Sequence, residues 1–169
     1  MAEELSKKVK ASEARVADLC CGVGFSTRAL RKAFPDAETV IGMDTSLEMI
    51  EMAKFVTNHL AFLHPILQFF SQKSLAFACA CVNGAKATFR RGNAECTGLD
   101  SKSFDLVTIM YAFHEAPRAG RERILQEAYR LLQPGGIVAV LDIATDYTPS
   151  RNMLAGEPYG TFDVLGSKK

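Results

Sequence analysis

The sequence predicts an α/β domain built on a doubly wound, mainly parallel sheet of about five strands. Short apolar runs recur along the chain and alternate with stretches of helical periodicity. The runs at 104–113 and 136–144 are almost continuously apolar, which is typical of parallel strands covered by helices on both faces. The length of 169 residues and the hydrophobic fraction of 48% fit one domain with a single core.

The first strand and the first helix of the sheet are predicted from residues 14–34. Residues 14–20, ARVADLC, form an apolar run of strand length. Ser26 or Thr27 is a suitable N-cap for a helix that continues to about Phe34, because Pro35 cannot extend it.

The second strand is predicted at 39–44, where the β-rich run TVIGMD ends in an acid. Ser46 is a typical N-cap residue for the helix that follows. We expect this helix to bury one face, formed by Met49, Ala53, Val56 and Leu60.

The remaining strands are predicted at 87–94, 104–113 and 136–144. Residues 118–133 predict a helix, and Gly135–Gly136 are expected to end it. Its apolar stripe is predicted to consist of Ile124, Ala128, Leu131 and Leu132.

We assign residues 1–146 to the domain and 147–169 to a loop-like tail rich in Gly, Pro and Ser. Residues 59–84 form an apolar insertion between the second and third strands, and polar interruptions make it unsuitable as a membrane span. Two interpretations of the insertion stay open. It forms extra helices packed on the sheet, or an apolar wall over the site.

Charge and cysteine content restrict the function classes. The net charge of +1 gives no electrostatic footprint for nucleic acid, and the start of the chain lacks the apolar segment of a secretory signal, so we expect a cytoplasmic protein. The five cysteines form no CxxC pair. We therefore expect buried free thiols and no metal site.

A glycine turn follows the first predicted strand in VADLCCGVGF, residues 16–25. Gly22 and Gly24 allow a tight turn into a helix N-terminus, at the sheet edge where open α/β sheets bind ligands. Asp44, at the end of the second strand, is suited to hydrogen-bond ribose hydroxyls. The full dinucleotide pattern would need a third glycine where this chain has Thr27.

Four blocks occur in order: DLCCGVGF, IGMDTSLEMIEMAK, RRGNAECTGLDSKSFDLVTIMYAFHEAP and EAYRLLQPGGIVAVLDIA. Together they resemble the class I S-adenosylmethionine-dependent methyltransferases, in particular the small-molecule branch that includes the ubiquinone and menaquinone methyltransferases. The resemblance covers about residues 14–146 without the insertion. It implies a Rossmann-like methyltransferase fold and S-adenosylmethionine as the cofactor.

The resemblance also implies roles for individual residues in cofactor binding. Asp18 would lie near the methionine amino group, and Asp44 would hold the ribose hydroxyls. One of Cys20 and Cys21 would face the core and the other the site. The implied cofactor-binding set is Asp18, Cys20, Gly22, Gly24, Asp44, Thr45, Asn93, Ala94 and Glu95, with Cys21, Val23, Phe25 and Met43 beside them.

Two residues after the fourth strand are candidates for catalysis. His114 is the best general base for an acceptor that carries a proton, and Glu115 would orient it or bind substrate. Tyr111 would stack or hydrogen-bond near the sulfonium. The alternatives are a structural role for His114 and a core position for Tyr111.

The resemblance implies a C-terminal β-hairpin, whereas only 145–169 follow the fifth predicted strand. An uncovered edge beside that strand would need a partner or a second copy. We therefore weigh three functions: a methyltransferase acting on a small, apolar acceptor, a cofactor-binding protein that is inactive or partner-dependent, and a nicotinamide-dependent oxidoreductase.

Overall fold

A computed structural model of the chain describes residues 2–9, 13–67 and 87–143. Helices and strands alternate along it, as the apolar pattern predicts. The elements are α1 (Ala2–Lys8), β1 (Arg15–Leu19), α2 (Phe25–Ala33), β2 (Thr39–Asp44), α3 (Leu47–Leu67), β3 (Thr88–Arg91), β4 (Phe104–Met110), α4 (Arg118–Leu131) and β5 (Leu132–Leu141).

The five strands form one sheet in the order β3-β2-β1-β4-β5, and every neighbouring pair is parallel. The chain therefore winds outward from β1 in both directions, so the predicted doubly wound sheet is confirmed. The connection after β1 runs to one side of the sheet and the connection after β4 runs to the other. The crevice between them, at the carboxyl ends of these strands, is where such sheets bind ligands.

The core lies on both faces of the sheet because successive side chains of a strand point to opposite faces. Ala17 and Leu19 of β1 pack in a cluster with Ile124 and Leu131 of α4. Val16, the residue before Ala17, points to the other face and packs in a second cluster. That second cluster combines α1, α2 and the sheet, with Leu5, Val9, Leu30, Phe34 and Leu106 among its buried members.

The start of α2 differs from its prediction. The helix begins at Phe25 with Gly24 as the N-cap residue, so neither Ser26 nor Thr27 caps it. Both hydroxyls lie in the first turn and donate to the Asp18 carboxylate. Both side chains are typical helix caps, but here they hydrogen-bond a buried carboxylate and not the helix backbone.

Helix α3 begins as predicted, because the Ser46 hydroxyl accepts a hydrogen bond from the Met49 amide at 3.1 Å. Its predicted buried face is partly wrong. Ala53 is buried, but Met49 is 44% exposed, and Ile50 and Thr57 are buried in its place. The helix continues to Leu67, so residues 59–67 of the predicted insertion belong to α3, whereas 68–84 lie outside the described residues.

The junction of α4 and β5 also corrects the prediction. The helix ends at Leu131, and the backbone at Leu132 is already extended. Gly135–Gly136 therefore lie within β5, where Gly135 has a φ of +86°, rather than ending the helix. The pairing register between β4 and β5 shifts between Phe104 and Leu106, which accommodates this irregular start.

The remaining features of the fold lie at its periphery. Helix α1, which the sequence analysis did not predict, covers the second core cluster. Strand β5 lies at one edge of the sheet, and the predicted tail, 147–169, lies outside the described residues. Within the described ranges, none of the helices combines the length and apolar character needed to cross a bilayer.

Candidate functional site

A pocket of about 230 Å³ lies at the carboxyl ends of the strands. Its walls come from the segments after β1, β2, β3 and β4, which are the segments that the sequence analysis singled out. It contains two acids and no lysine or arginine. The lining residues are Cys20, Met43, Asp44, Thr45, Gly92, Ala94, Ala112, Glu115 and Ala116.

The glycine turn after β1 depends on backbone conformations that side chains rarely adopt. Gly22 has a φ of +51° and Gly24 a φ of +79°. A Cβ at Gly22 would meet open space, whereas one at Gly24 would lie 2.4 Å from the Phe89 ring. Gly24 thus permits β3 to pack against the turn, while Gly22 leaves space in front of it. Val23 beside them accepts a hydrogen bond from Arg28, and Phe25 is 59% exposed.

Asp18 lies beneath the turn and is fully buried. Its carboxylate accepts hydrogen bonds from the hydroxyls of Ser26 at 2.6 Å, Thr27 at 2.6 Å and Thr108 at 2.7 Å. Burial raises the pKa of Asp18 above its usual value, although the three hydroxyl donors act in the opposite direction. The side chain ties β1 to β4 and to the start of α2, and it does not line the pocket. Its predicted contact with an amino group stays a prediction.

The two adjacent cysteines point in different directions, which confirms that part of the prediction. Cys21 is buried against Ile50, Ala53 and Phe89. Cys20 lines the pocket with a left-handed φ of +61°. Burial raises the pKa of Cys20 to about 11, with further contributions from the carboxylates of Asp44, Asp18 and Glu115. Cys20 is therefore a neutral thiol in an acidic environment.

Asp44 connects the glycine turn to the start of α3. One carboxylate oxygen accepts the Gly22 amide at 2.8 Å and the other accepts the Ser46 amide at 3.0 Å. Each oxygen has a second lone pair, so the carboxylate can still accept hydroxyl donors from the pocket. Thr45 lines the pocket beside it, and its carbonyl accepts a hydrogen bond from Arg91.

The block after β3 contributes to the pocket unevenly. Ala94 is buried and lines it. Asn93 is exposed and folds back, so that its side-chain oxygen accepts the Glu95 amide at 2.9 Å. The Glu95 carboxylate is paired with Arg123 of α4. To bind a cofactor as predicted, Asn93 and Glu95 would have to contact it while keeping the Glu95 amide hydrogen bond and the Arg123 ion pair.

After β4, His114 and Tyr111 occupy different environments. Tyr111 has a left-handed φ of +55° and is 59% exposed, so it is not the core aromatic that the alternative reading proposed. The His114 Nδ1 atom lies 2.7 Å from an Asp142 oxygen, and its Nε2 atom lies 3.6 Å from Glu115. Glu115 lines the pocket, whereas His114 and Tyr111 are not among its lining residues.

Three residues of this region were missed by the sequence analysis. Ala112 and Ala116 line the pocket, and they flank His114 and Glu115 in the sequence. Their small side chains leave room for a ligand. Asp142 was treated only as part of a strand. The signal that would have identified it is an acid in an otherwise apolar run, directly where the fifth strand reaches the ligand-binding edge.

The pocket suits S-adenosylmethionine better than a dinucleotide. Its two acids attract a cationic sulfonium or ammonium and repel the anionic pyrophosphate of a dinucleotide. Gly22 leaves open space in front of the turn, and Met43, Ala94 and Ala112 provide apolar walls. In the described ranges, no three His, Cys, Asp or Glu side chains converge as a metal site.

The fold and this pocket together define a parallel α/β domain with a pocket at the carboxyl edge of the sheet. The sequence profile of the methyltransferase domain family matches residues 17–140, and the chain belongs to this family. Demethylmenaquinone methyltransferase from Lactiplantibacillus plantarum is 32% identical over 139 residues, which is 82% of this chain and 49% of that protein. An uncharacterized methyltransferase of Synechocystis sp. is 30% identical over 148 residues, 88% of this chain and 54% of its own length.

Solved structures agree on the fold. The YcgJ protein of Bacillus subtilis superposes with a TM-score of 0.58 at 24% identity, covering 90% of this chain and 53% of its own. Phosphoethanolamine N-methyltransferase of Haemonchus contortus, solved in complex with phosphoethanolamine and S-adenosylhomocysteine, superposes with a TM-score of 0.58 at 20% identity. The superposition covers 82% of this chain and 24% of that protein. The chain spans about half the length of the two sequence relatives, the Lactiplantibacillus plantarum and Synechocystis proteins.

Proposed function

We propose that this chain is an S-adenosylmethionine-dependent methyltransferase that acts on a small molecule. The observation that carries the proposal is the acidic pocket around Asp44, because a carboxylate with free lone pairs at this edge suits both ribose hydroxyls and a cationic ligand. The family membership of residues 17–140 supports the same reaction. The two acids of the lining, and Thr27 in place of the third glycine of the dinucleotide pattern, argue against the nicotinamide alternative.

Each predicted cofactor-binding residue has a place in this proposal. Asp44 accepts the ribose hydroxyls, while Thr45, Met43 and Ala94 surround the adenine. Gly22 and Cys20 form the floor beside the methionine half. Asp18 acts indirectly, since it fixes the turn from below. Gly24 permits the packing of the turn, and Asn93 and Glu95 keep the segment after β3 in shape.

When bound, S-adenosylmethionine would supply an electrophilic methyl group on a sulfonium, with a neutral thioether as the leaving group. The protein must hold the acceptor atom in line with that methyl group, which is largely an entropic contribution. His114 would take the proton that the acceptor loses, because its Nε2 atom lies 3.6 Å from Glu115, which lines the pocket. The exposed Tyr111 ring, at the end of β4, is suited to contact the acceptor.

The proposed acceptor is a small apolar ring compound. Relatives named demethylmenaquinone methyltransferase favour a quinone-type ring, and the alanine walls of the pocket accept an apolar surface. We propose that the reaction takes place in the cytoplasm without nucleic acid. We also propose that a partner or second copy covers the β5 edge, and size-exclusion chromatography with light scattering would test that association.

Methyl transfer from labelled S-adenosylmethionine tests the proposal. Purified chain is incubated with reduced quinones, phenols, amines and thiols, and the labelled products are separated. We expect transfer to a reduced quinone or phenol. The His114→Ala variant should lose turnover while its cofactor affinity stays the same. A folded chain that binds the cofactor but labels none of these acceptors would support the inactive or partner-dependent alternative instead.

A further inference from the structure

Asp142, the residue directly after β5, is held in a fixed position beside the loop that follows β4. One carboxylate oxygen accepts the amides of Phe113 at 2.6 Å and His114 at 3.1 Å. The other oxygen accepts the Ile143 amide at 2.7 Å and lies 2.7 Å from His114 Nδ1. Three backbone amides therefore fix the carboxylate while it contacts the imidazole.

This contact determines which ring nitrogen of His114 carries the proton. An ionised carboxylate only accepts hydrogen bonds, so a short contact with Nδ1 requires hydrogen on that nitrogen. In the neutral ring, the lone pair then lies on Nε2. Burial alone would raise the pKa of Asp142, but the hydrogen bonds from the Ile143 amide, the His114 ring and the two loop amides outweigh it and lower the pKa. Asp142 is therefore ionised at neutral pH.

The other ring nitrogen, Nε2, lies near Glu115 and not near Asp142. Nε2 is 3.6 Å from Glu115, which is beyond hydrogen-bonding distance, and Glu115 itself lines the pocket and is 80% exposed. Nε2 is therefore available to accept a proton, whereas Nδ1 is occupied by Asp142.

We propose that Asp142 is a positioning residue that holds His114 in the tautomer with hydrogen on Nδ1, so that Nε2 receives the proton of the methyl acceptor. The inference rests on the proposed function of this site. The proton moves from an O–H or N–H group of the acceptor to Nε2, and its bonding electrons stay on the acceptor atom. The resulting imidazolium is paired with the Asp142 carboxylate, which stabilises the charge as it forms.

The tautomer can be measured without turnover. Long-range ¹H–¹⁵N spectra of the full chain at alkaline pH distinguish a ring protonated at Nδ1 from one protonated at Nε2, and His114→Ala identifies the signal among the three histidines. We expect the Nδ1–H tautomer in the wild type and a mixture of tautomers in Asp142→Ala. Wild-type His114 with its proton on Nε2, or an unchanged tautomer in Asp142→Ala, would overturn the inference whether or not methyl transfer is observed.

Kinetics of a milder variant separate positioning from folding. Asp142→Asn retains the shape and one acceptor oxygen, and we expect its kcat to fall roughly ten- to a hundredfold with an unchanged KM for the cofactor. Asp36→Asn removes an exposed carboxylate in the turn after α2 and should leave kcat unchanged. Equal kcat values for Asp142→Asn and the wild type would contradict the inference. Failure of the wild type to transfer methyl would instead count against the proposed function, because the tautomer measurement does not depend on it.

Discussion

Asp18 and Glu127 are the two buried carboxylates of the described residues, and they are stabilised in different ways. Asp18 lies beneath the glycine turn with three neutral hydroxyl partners. Glu127 lies on α4, where it accepts the Thr97 amide and hydroxyl and pairs with Arg130. Burial raises the pKa of Asp18, whereas the hydrogen bonds from Arg130, followed by those from Thr97, lower the pKa of Glu127 to about 2.

The difference separates the ligand-binding edge from the supporting structure. The Glu127–Arg130 pair fastens α4 to the loop before β4, because Arg130 also donates to the Leu99 carbonyl and the Ser101 hydroxyl. Asp44, which lines the pocket, is held by two backbone amides instead. Burial is the main cause of the raised pKa of Cys20, and the nearby carboxylates of Asp44, Asp18 and Glu115 raise it further, so the pocket is a negative environment that suits a cationic ligand.

The largest effect is expected from Asp18→Ala. Removing the carboxylate takes the acceptor from the hydroxyls of Ser26 and the fully buried Thr27, and it leaves the buried Thr108 hydroxyl with only the Ala17 carbonyl at 3.4 Å. We expect a loss of roughly 2–4 kcal/mol in the free energy of unfolding, measured by urea denaturation. Asp18→Asn, which retains an acceptor, should lose much less. Equal losses in both variants would show that the hydroxyl network is not what stabilises the turn.

A smaller effect is expected from Asp44→Ala, and it concerns binding. Because the carboxylate would accept the ribose hydroxyls, its removal should weaken S-adenosylmethionine binding by roughly 1–3 kcal/mol. Calorimetry of the variant beside Asp36→Ala, which removes an exposed acid, measures the difference. Because Asp44 also holds the Gly22 amide, a circular dichroism melt must accompany the titration. Unchanged affinity would mean that the ribose lies elsewhere.

Glu127→Gln should reduce the free energy of unfolding by about 1 kcal/mol. The loss is modest because the Arg130 side chain is 38% exposed, so solvent screens the pair. Cofactor affinity should stay the same, since the pair lies at the end of α4 near the start of β4. Weaker cofactor binding in this variant would contradict the separation of the two regions.

The two acids should also give opposite pH dependences. Glu127 has a lowered folded-state pKa, so its stabilisation is present above its ordinary value of 4.5 and is lost as the pH falls toward about 2. Asp18 has a raised folded-state pKa, so its contribution is full below its ordinary value of 3.8 and is lost as the pH rises through the folded-state value.

Denaturation of the wild type, Glu127→Gln and Asp18→Asn between pH 3 and 8 compares these contributions. The advantage of the wild type over Glu127→Gln should shrink at low pH. Relative to the wild type, Asp18→Asn should improve as the pH rises. Parallel pH curves for all three proteins would show that neither acid is shifted.

The fold was largely predictable because apolar runs and turn residues encode it locally. The strand at 39–44 was predicted with its observed bounds, and the Ser46 cap is where the sequence placed it. The errors arise where a residue distant in the sequence determines which hydrogen bonds a side chain makes. Ser26 and Thr27 serve the Asp18 carboxylate rather than the helix backbone, and nothing within their own segment indicates that the acceptor is buried nearby.

The site was predictable to a lesser extent. Residues at strand ends, such as Asp44 and Cys20, follow from the rule that parallel strands present their carboxyl ends together. The partner of His114 could not be predicted in the same way, because Asp142 lies 28 positions away in sequence and meets it only through the pairing of β4 with β5. The adjacent acid, Glu115, was expected to orient the ring or to bind substrate, and it lies farther from Nε2, at 3.6 Å, than Asp142 lies from Nδ1, at 2.7 Å.

We propose that the acidic pocket at the carboxyl edge binds S-adenosylmethionine. Isothermal titration calorimetry of the purified chain with S-adenosylmethionine, S-adenosylhomocysteine and NAD tests this proposal. We expect micromolar binding of the first two ligands and no binding of NAD. A folded chain that binds neither sulfur compound, or that binds NAD, would contradict it.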